Sequence, residues 1–299
     1  MRVALIGYGR VAAVHARALS KRVEILSVCG PDQTKAEGFA EQHEIRHVYM
    51  DIKTALRNSD TAIICSPSSA HYEQAKEALL TDANVLVELP ACTSSAEAAD
   101  LARLAEDRHR VLQCAHTSRY LVPYQRITAW ILAGALGSIR HVHYVRFIPL
   151  RTRSWTDDAL LHHAAHPLDL FLHWFAALRP LACAARPGIP GAQDVSLVAC
   201  TPWNAPAAIS ISYTSRLPET KMTVIGSERT IATDGFSYIS SDDTGLGWQG
   251  EEQTVYESAI QEQDLSFLDA CRGAKCGVSW DETIRLTNCI TDFIHLWNR

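Results

Sequence analysis

The first nineteen residues constrain this chain most. Arg2 to Ile6 reads as a buried strand and runs directly into Gly7-Tyr8-Gly9-Arg10-Val11-Ala12, after which Val11 to Leu19 has the pattern of a helix. A strand that turns into a helix over so few residues needs a glycine at the turn. A second glycine lets the backbone approach a ligand, and a small residue in the sixth position lets the helix pack on the strand. The G-x-G-x-x-A pattern between a strand and a helix is a dinucleotide-binding fingerprint, which places a pyrophosphate at the helix N-terminus. Gly7, Tyr8, Gly9, Arg10 and Val11 are therefore candidate cofactor-binding residues.

The alternation continues with strands over Val23 to Cys29, Thr61 to Cys65, Asn84 to Glu88 and Val111 to His116, and helices over Ser69 to Leu80 and Ser94 to Arg108. It predicts a doubly wound parallel sheet of the Rossmann type, an α/β domain with its ligand at the C-terminal ends of the strands. Three of those ends carry Ser66-Pro67, Glu88-Leu89-Pro90 and His116-Thr117. Ser66-Pro67 taken alone also reads as ordinary turn chemistry. After the second strand, where an acid usually binds the ribose hydroxyls of NAD, stand Gly30, Pro31 and Asp32. Loss of the acid removes a repulsion against a 2′-phosphate and tilts the expected cofactor toward NADP, with NAD the alternative. Thr34 and Lys35 are nearest to meet that phosphate.

A length of 299 residues accommodates two domains. The expected division is a dinucleotide-binding domain over 1–118 and an α+β substrate-binding and oligomerisation domain over 119–299. A net charge of −5 without a clustered basic face gives no reason to expect a nucleic-acid partner. No apolar run approaches the ~18 residues of a membrane span, so no membrane partner is expected. The chain enters its first strand at once, which leaves no room for a signal peptide. Nine scattered cysteines, an odd number without a Cys-x-x-Cys pair, fit a reduced cytoplasm.

In the second half, Pro123 to Ala133 reads as a linking helix and Ile139 to Phe147 as a long strand. Strand-like runs follow at Val195 to Cys200, Ala207 to Tyr213, Lys221 to Ile225 and Arg229 to Thr233. Turn residues separate them, the pattern of an open, largely antiparallel sheet whose outer face would suit a homodimer. Helices are expected over Leu265 to Cys271 and Thr283 to Trp297, the latter with an apolar stripe at 286, 290, 293, 294 and 297 that suits core packing. Ser240 to Gly247 reads as a polar loop.

The densest chemistry lies in Arg153-Ser154-Trp155-Thr156-Asp157-Asp158 and in Leu161-His162-His163-Ala164-Ala165-His166-Pro167-Leu168-Asp169. If the chain is helical from about Asp158, then His162, His166 and Asp169 stand at i, i+4 and i+7 and share one face. A histidine held by a carboxylate suits proton abstraction from an alcohol as its hydride departs. Two other readings stand beside this one: a capped helix N-terminus with core histidines, and a two-histidine zinc site that lacks a third ligand nearby. No metal is expected. The candidate catalytic residues are His166, His162 and Asp169. Arginine offers paired donors that match a carboxylate, so Arg153 is expected to bind a carboxylated substrate beside Trp155, with His163 and Arg119 as secondary contacts. Arg151 reads equally as a surface residue.

Gly7-Tyr8-Gly9 with His15, Cys65-Ser66-Pro67-Ser68-Ser69-Ala70-His71, Glu88-Leu89-Pro90 and His166-Pro167-Leu168-Asp169 occur in this order. Together they resemble the glucose-fructose oxidoreductase, inositol dehydrogenase and MocA family. The resemblance implies a Rossmann domain followed by a domain on an open sheet, with NAD or NADP between them, and adds Ser66, Pro67, His71 and Glu88 to the cofactor-binding residues. The family's usual Glu-Lys-Pro has Leu89 in the lysine position here, and His162 stands where an aspartate four residues before the histidine is usual. One subgroup, which oxidises the cyclic hemiacetal of a carboxylated muconate semialdehyde, resembles this chain around Arg153 to Asp157, His162 to His166 and His116 to Tyr120. The resemblance thus implies an NADP-dependent dehydrogenase acting on CH–OH in aromatic catabolism. A sugar or inositol dehydrogenase, or a catalytically silent dinucleotide-binding sensor on the same fold, are the alternatives.

Overall fold

A computed structural model describes residues 1–149, 158–188 and 191–298. The chain divides into two compact units, residues 1–116 with 260–287, and residues 117–259 with 288–299.

The first unit is the parallel sheet that the alternation predicts. Its elements run β1 (Arg2–Ile6), α1 (Arg10–Leu19), β2 (Glu24–Cys29), α2 (Gln33–Gln42), β3 (His47–Tyr49), α3 (Ile52–Leu56), β4 (Thr61–Ile64), α4 (His71–Leu80), β5 (Asn84–Glu88), α5 (Ser95–Asp107) and β6 (Leu112–Ala115). The strand order is β3-β2-β1-β4-β5-β6, parallel throughout. The order reverses between β1 and β4, so this is the switch point at which such sheets bind ligands. The central strands are apolar on both faces because helices cover both: Val3, Leu5, Ile63, Ile64, Val85 and Leu86 are at most 1% exposed. Each fully buried side chain of this size contributes roughly 1.5–3 kcal/mol. Asp32, Asp51 and Ser94 cap α2, α3 and α5 with their side chains, whereas α1 has only Gly9 at its cap.

The second unit contains α6 (Val122–Leu132), β7 (Ile139–Pro149), a π-helical turn over Ala159–His163, α7 (Ala165–Phe175), and then β8 (Arg179–Pro187), β9 (Ala192–Cys200), β10 (Pro206–Ser215), β11 (Glu219–Gly226), β12 (Thr230–Thr233), β13 (Tyr238–Ser241) and β14 (Trp248–Gln249). These strands form one sheet in the order β14-β13-β12-β11-β7-β10-β9-β8, antiparallel except where β10 runs parallel to β7. Two helices end the chain, α8 (Glu252–Cys271) and α9 (Trp280–Trp297). No described helix is long and apolar enough to cross a membrane.

The architecture is that of a Rossmann sheet plus an open, largely antiparallel sheet, and several details differ from the sequence reading. The expected boundary at 118/119 gave all later residues to the second domain, whereas 260–287 joins the first unit. Phe267 and Leu268 of α8 lie in the same core as Val3, Leu5 and Val28. α8 also begins thirteen residues before Leu265, because Gln263 and Asp264 are buried on the same helix as Ile260 and Phe267 and break the apolar stripe. Finally, Ser240 and Ser241 belong to β13 rather than to a loop, since their strand pairs with β12. The stripe of α9 is buried at Leu286, Ile290 and Phe293.

Candidate active site

The first cluster gathers at the C-terminal ends of β1, β4 and β5. Gly7 has φ +109°, donates its N–H to the Cys29 carbonyl at 2.7 Å, and leaves no room for a side chain, since a Cβ would stand 2.7 Å from the Cys65 carbonyl oxygen. Gly9 is different: a Cβ there would meet no protein atom within 4 Å. Folding does not demand glycine at that position, but a ligand lying against the backbone does. Helix α1 has no side-chain cap and no acid in its first turn, so its leading amides, from Arg10 and Val11 onward, remain donors for an anion. These residues fit the pyrophosphate of a dinucleotide.

The flanking residues are fixed by one another. Ser66 donates its hydroxyl to Gln74 Oε1. His71 is 2% exposed, and its two ring nitrogens lie 2.8 Å from the carbonyl oxygens of Pro90 and Ser66. It is a clamp between the loops after β4 and β5, which explains its position without requiring contact with a cofactor. Leu89, in the position of the family lysine, is buried, and the Leu89–Pro90 peptide is cis. His116 is buried against the Thr283 hydroxyl at 3.0 Å.

Glu88 belongs to a chain of charges that the sequence reading did not assemble. Its Oε1 lies 2.9 Å from His15 Nε2, and His15 Nδ1 lies 2.7 Å from Asp264 Oδ2. His15 and Asp264 are fully buried, whereas the Glu88 side chain is 17% exposed. Burial by itself would lower the pKa of His15, but the Asp264 carboxylate, aided by Cys65, outweighs it and holds the imidazole well above its ordinary value. Burial pushes the Asp264 carboxyl up, against the pull of His15. The visible end of this chain is a glutamate aimed by a buried imidazole. The one sequence signal was an acid within the apolar pattern of α8, at Asp264.

The second cluster is built on the turn that precedes α7. Asp158 caps it, accepting from the Leu160 amide at 2.8 Å and the Leu161 amide at 3.1 Å, and its other oxygen accepts from the Ala192 amide at 2.9 Å. Instead of one continuous α-helix from Asp158, residues 159–163 form a π-helical turn and α7 starts at Ala165. Wider turns of this kind are frequent at functional sites because they re-aim side chains. The ring of His162 lies 4.7 Å from that of His163 and 6.1 Å from that of His166, edge-on in both cases. His163 Nδ1 is hydrogen-bonded to the Tyr213 hydroxyl. The three imidazoles are brought together with a phenol that the sequence reading missed, at the end of a strand-like run.

Asp169, expected to orient His166, is 1% exposed and receives two hydrogen bonds from Arg119, Nε to Oδ2 at 2.9 Å and Nη2 to Oδ1 at 2.6 Å. Arg119, expected as a secondary substrate contact, is thus the partner of Asp169, and its side chain is 8% exposed. Arg151, Arg153 and Trp155 lie outside the described residues. Arg146 of β7 lies among hydroxyls instead: its electrostatic neighbours include Tyr144, Tyr124 and Tyr213. The sheet register sets it opposite Ile211, two residues before Tyr213. Among the described residues no group of three metal-ligating side chains stands close enough together to hold an ion.

The candidate residues thus fall into two groups, one on the doubly wound parallel sheet of the first unit and one, the histidine cluster, on the open-sheet second unit. Residues 1–116 match the profile of the Gfo/Idh/MocA oxidoreductase family, NAD-binding Rossmann fold. It is 28% identical over 293 residues to 4-carboxy-2-hydroxymuconate-6-semialdehyde dehydrogenase from a Sphingobium species, covering 91% of this chain and 90% of that one. It is 29% identical over 186 residues to inositol 2-dehydrogenase from an Arthrobacter species, covering 60% and 53%. The fold matches that of GenD2 from gentamicin A biosynthesis, solved with NAD, with TM-score 0.86, 19% identity, and coverage of 99% and 93%. The chain thus carries an NAD-binding Rossmann domain of the oxidoreductase type over residues 1–116 and, over nearly its whole length, resembles dehydrogenases.

Proposed function

We propose that this protein oxidises a small carboxylated cyclic hemiacetal or alcohol by hydride transfer to NADP, most like the conversion of 4-carboxy-2-hydroxymuconate-6-semialdehyde to 2-pyrone-4,6-dicarboxylate. The observation that carries this proposal is the grouping of His162, His163 and His166 with Tyr213 on a π-helical turn. Three polar rings so close together are more than a hydrophobic core needs, and they are suited to acid-base work. The bound dinucleotide supplies the hydride acceptor.

His166 takes the proton of the substrate hydroxyl, with His162 one turn away to pass it on. His163, held by Tyr213, orients the substrate. Asp169, neutralised by Arg119, stiffens α7 and has lone pairs left to accept from a ring N–H. Arg146 joins Arg153 as a candidate to receive a substrate carboxylate, because the phenols of Tyr144, Tyr124 and Tyr213 are among its electrostatic neighbours. Gly7, Gly9, Arg10 and Val11 would hold the pyrophosphate of a bound dinucleotide, and Glu88, fixed by His15, would be available to the remainder of it. The protein acts in the cytoplasm as a homodimer.

The test is a substrate panel followed by the absorbance of reduced nicotinamide, with each cofactor: the carboxylated hemiacetal, inositols and neutral sugars. Turnover of the hemiacetal at least tenfold faster than of any neutral sugar is expected. Turnover of neutral polyols alone returns the protein to the sugar dehydrogenases, and binding without turnover makes it a sensor.

A further inference from the structure

The place after β2 where an acid is missing is filled, and Tyr8 fills it. A Cβ on Gly30 would stand 2.2 Å from Tyr8 Cε1 and 2.8 Å from Cδ1. The aromatic ring therefore lies where the side chain of residue 30 would project. Its hydroxyl is fixed as well, accepting a hydrogen bond from the Asp32 amide at 3.1 Å. The acid two residues further on does not replace the missing one. Asp32 turns back to cap α2, accepting from the Lys35 amide at 3.1 Å, and pairs with Lys35 Nζ at 2.9 Å. That pair offsets the charge of Asp32.

We propose that Tyr8, seated over Gly30, is the residue that selects the adenosine ribose of the cofactor and that it favours a 2′-phosphate. This rests on the reading above that a dinucleotide lies along the loop from Gly7 to Val11. A carboxylate at this strand end only accepts hydrogen bonds, so it suits a ribose hydroxyl and repels a phosphate. A phenol whose oxygen already accepts from the Asp32 amide offers its own proton outward, and a phosphate only accepts. Gly30 is then the partner that this tyrosine requires rather than a mere loss of the acid, and the two positions are coupled.

The experiment is titration of the full-length protein with NADPH and with NADH, read by quenching of tryptophan fluorescence, for wild type, Tyr8→Phe, Gly30→Asp and Tyr8→Ala/Gly30→Asp. Wild type is expected to bind NADPH more tightly. Tyr8→Phe, which keeps the ring and removes only the donor, is expected to lower the NADPH-to-NADH affinity ratio about tenfold, the effect of one charge-assisted hydrogen bond. Gly30→Asp alone weakens both ligands because it collides with the ring, and the double variant recovers binding with NADH preferred. An unchanged ratio in Tyr8→Phe overturns the proposal, as does Gly30→Asp preferring NADH at full affinity with Tyr8 in place. If wild type binds neither dinucleotide, the cofactor reading itself fails, and the role of Tyr8 falls with it.

Discussion

Replacing Arg119 by methionine tests the buried pair that it forms with Asp169 of α7. The guanidinium and the Asp169 carboxylate meet through two hydrogen bonds of 2.9 and 2.6 Å, with side chains only 8% and 1% exposed. Water compensates neither group, so methionine leaves a carboxylate buried without its counter-charge, at a cost of about 3–5 kcal/mol. Asp169→Leu strands the guanidinium at a similar cost. The double variant Arg119→Met/Asp169→Leu removes both charges and replaces them with apolar groups of comparable size, which is often neutral or better. Urea denaturation followed by tryptophan fluorescence gives the four free energies of the cycle. The expected coupling exceeds about 3 kcal/mol, with the double variant within about 2 kcal/mol of wild type. A loss below about 1 kcal/mol for either single variant would mean that the pair behaves as an exposed bridge, and the reasoning would be refuted. The double variant also separates roles. If it is stable but inactive, Asp169 acts on His166 as well as on Arg119.

Three further outcomes are expected. His166→Ala lowers kcat by about 10²- to 10⁴-fold with cofactor affinity unchanged; near-wild-type turnover would remove His166 from the chemistry. Gly9→Val folds normally, because a Cβ at Gly9 meets no protein atom, but it blocks the dinucleotide; unchanged cofactor titration would contradict the placement of the pyrophosphate. The raised pKa of His15 means that the folded protein binds more protons than the unfolded chain above the ordinary histidine value of about 6.5. The stabilising contribution of His15 is therefore complete below that value and is lost as pH rises toward the folded pKa, with a slope of at most about 1.4 kcal/mol per pH unit. His15→Gln should flatten the fall of unfolding free energy above pH ~6.5 relative to wild type, and parallel curves would show that His15 carries no such proton.

The parallel sheet was legible because its signals are local: Gly7 and Gly9 between a strand and a helix, then alternating apolar runs. The His15–Glu88–Asp264 chain was not, since Asp264 lies 249 residues from its imidazole and reads as a polar interruption in α8. The same distance effect hid Tyr213 from His163 and Arg119 from Asp169, each pair fifty positions apart. Helical spacing correctly grouped His162 with His166, but periodicity does not reveal a single π-helical turn, which depends on the Asp158 cap and its bond to the Ala192 amide. The tilt toward NADP drawn from Gly30 rested on an absent side chain. The structure adds the side chain that is present, Tyr8.

The central claim is hydride transfer from substrate to a bound nicotinamide, and an isotope label tests it most directly. The cyclic hemiacetal carrying deuterium on its anomeric carbon is incubated with the protein and each oxidised cofactor, and the dinucleotide product is analysed by mass spectrometry. The account predicts a reduced dinucleotide one mass unit heavier than that formed from unlabelled substrate, and the same labelled product formed about 10²- to 10⁴-fold more slowly when His166 is alanine. Reduced dinucleotide without deuterium, or none at all from a cofactor that demonstrably binds, would contradict it.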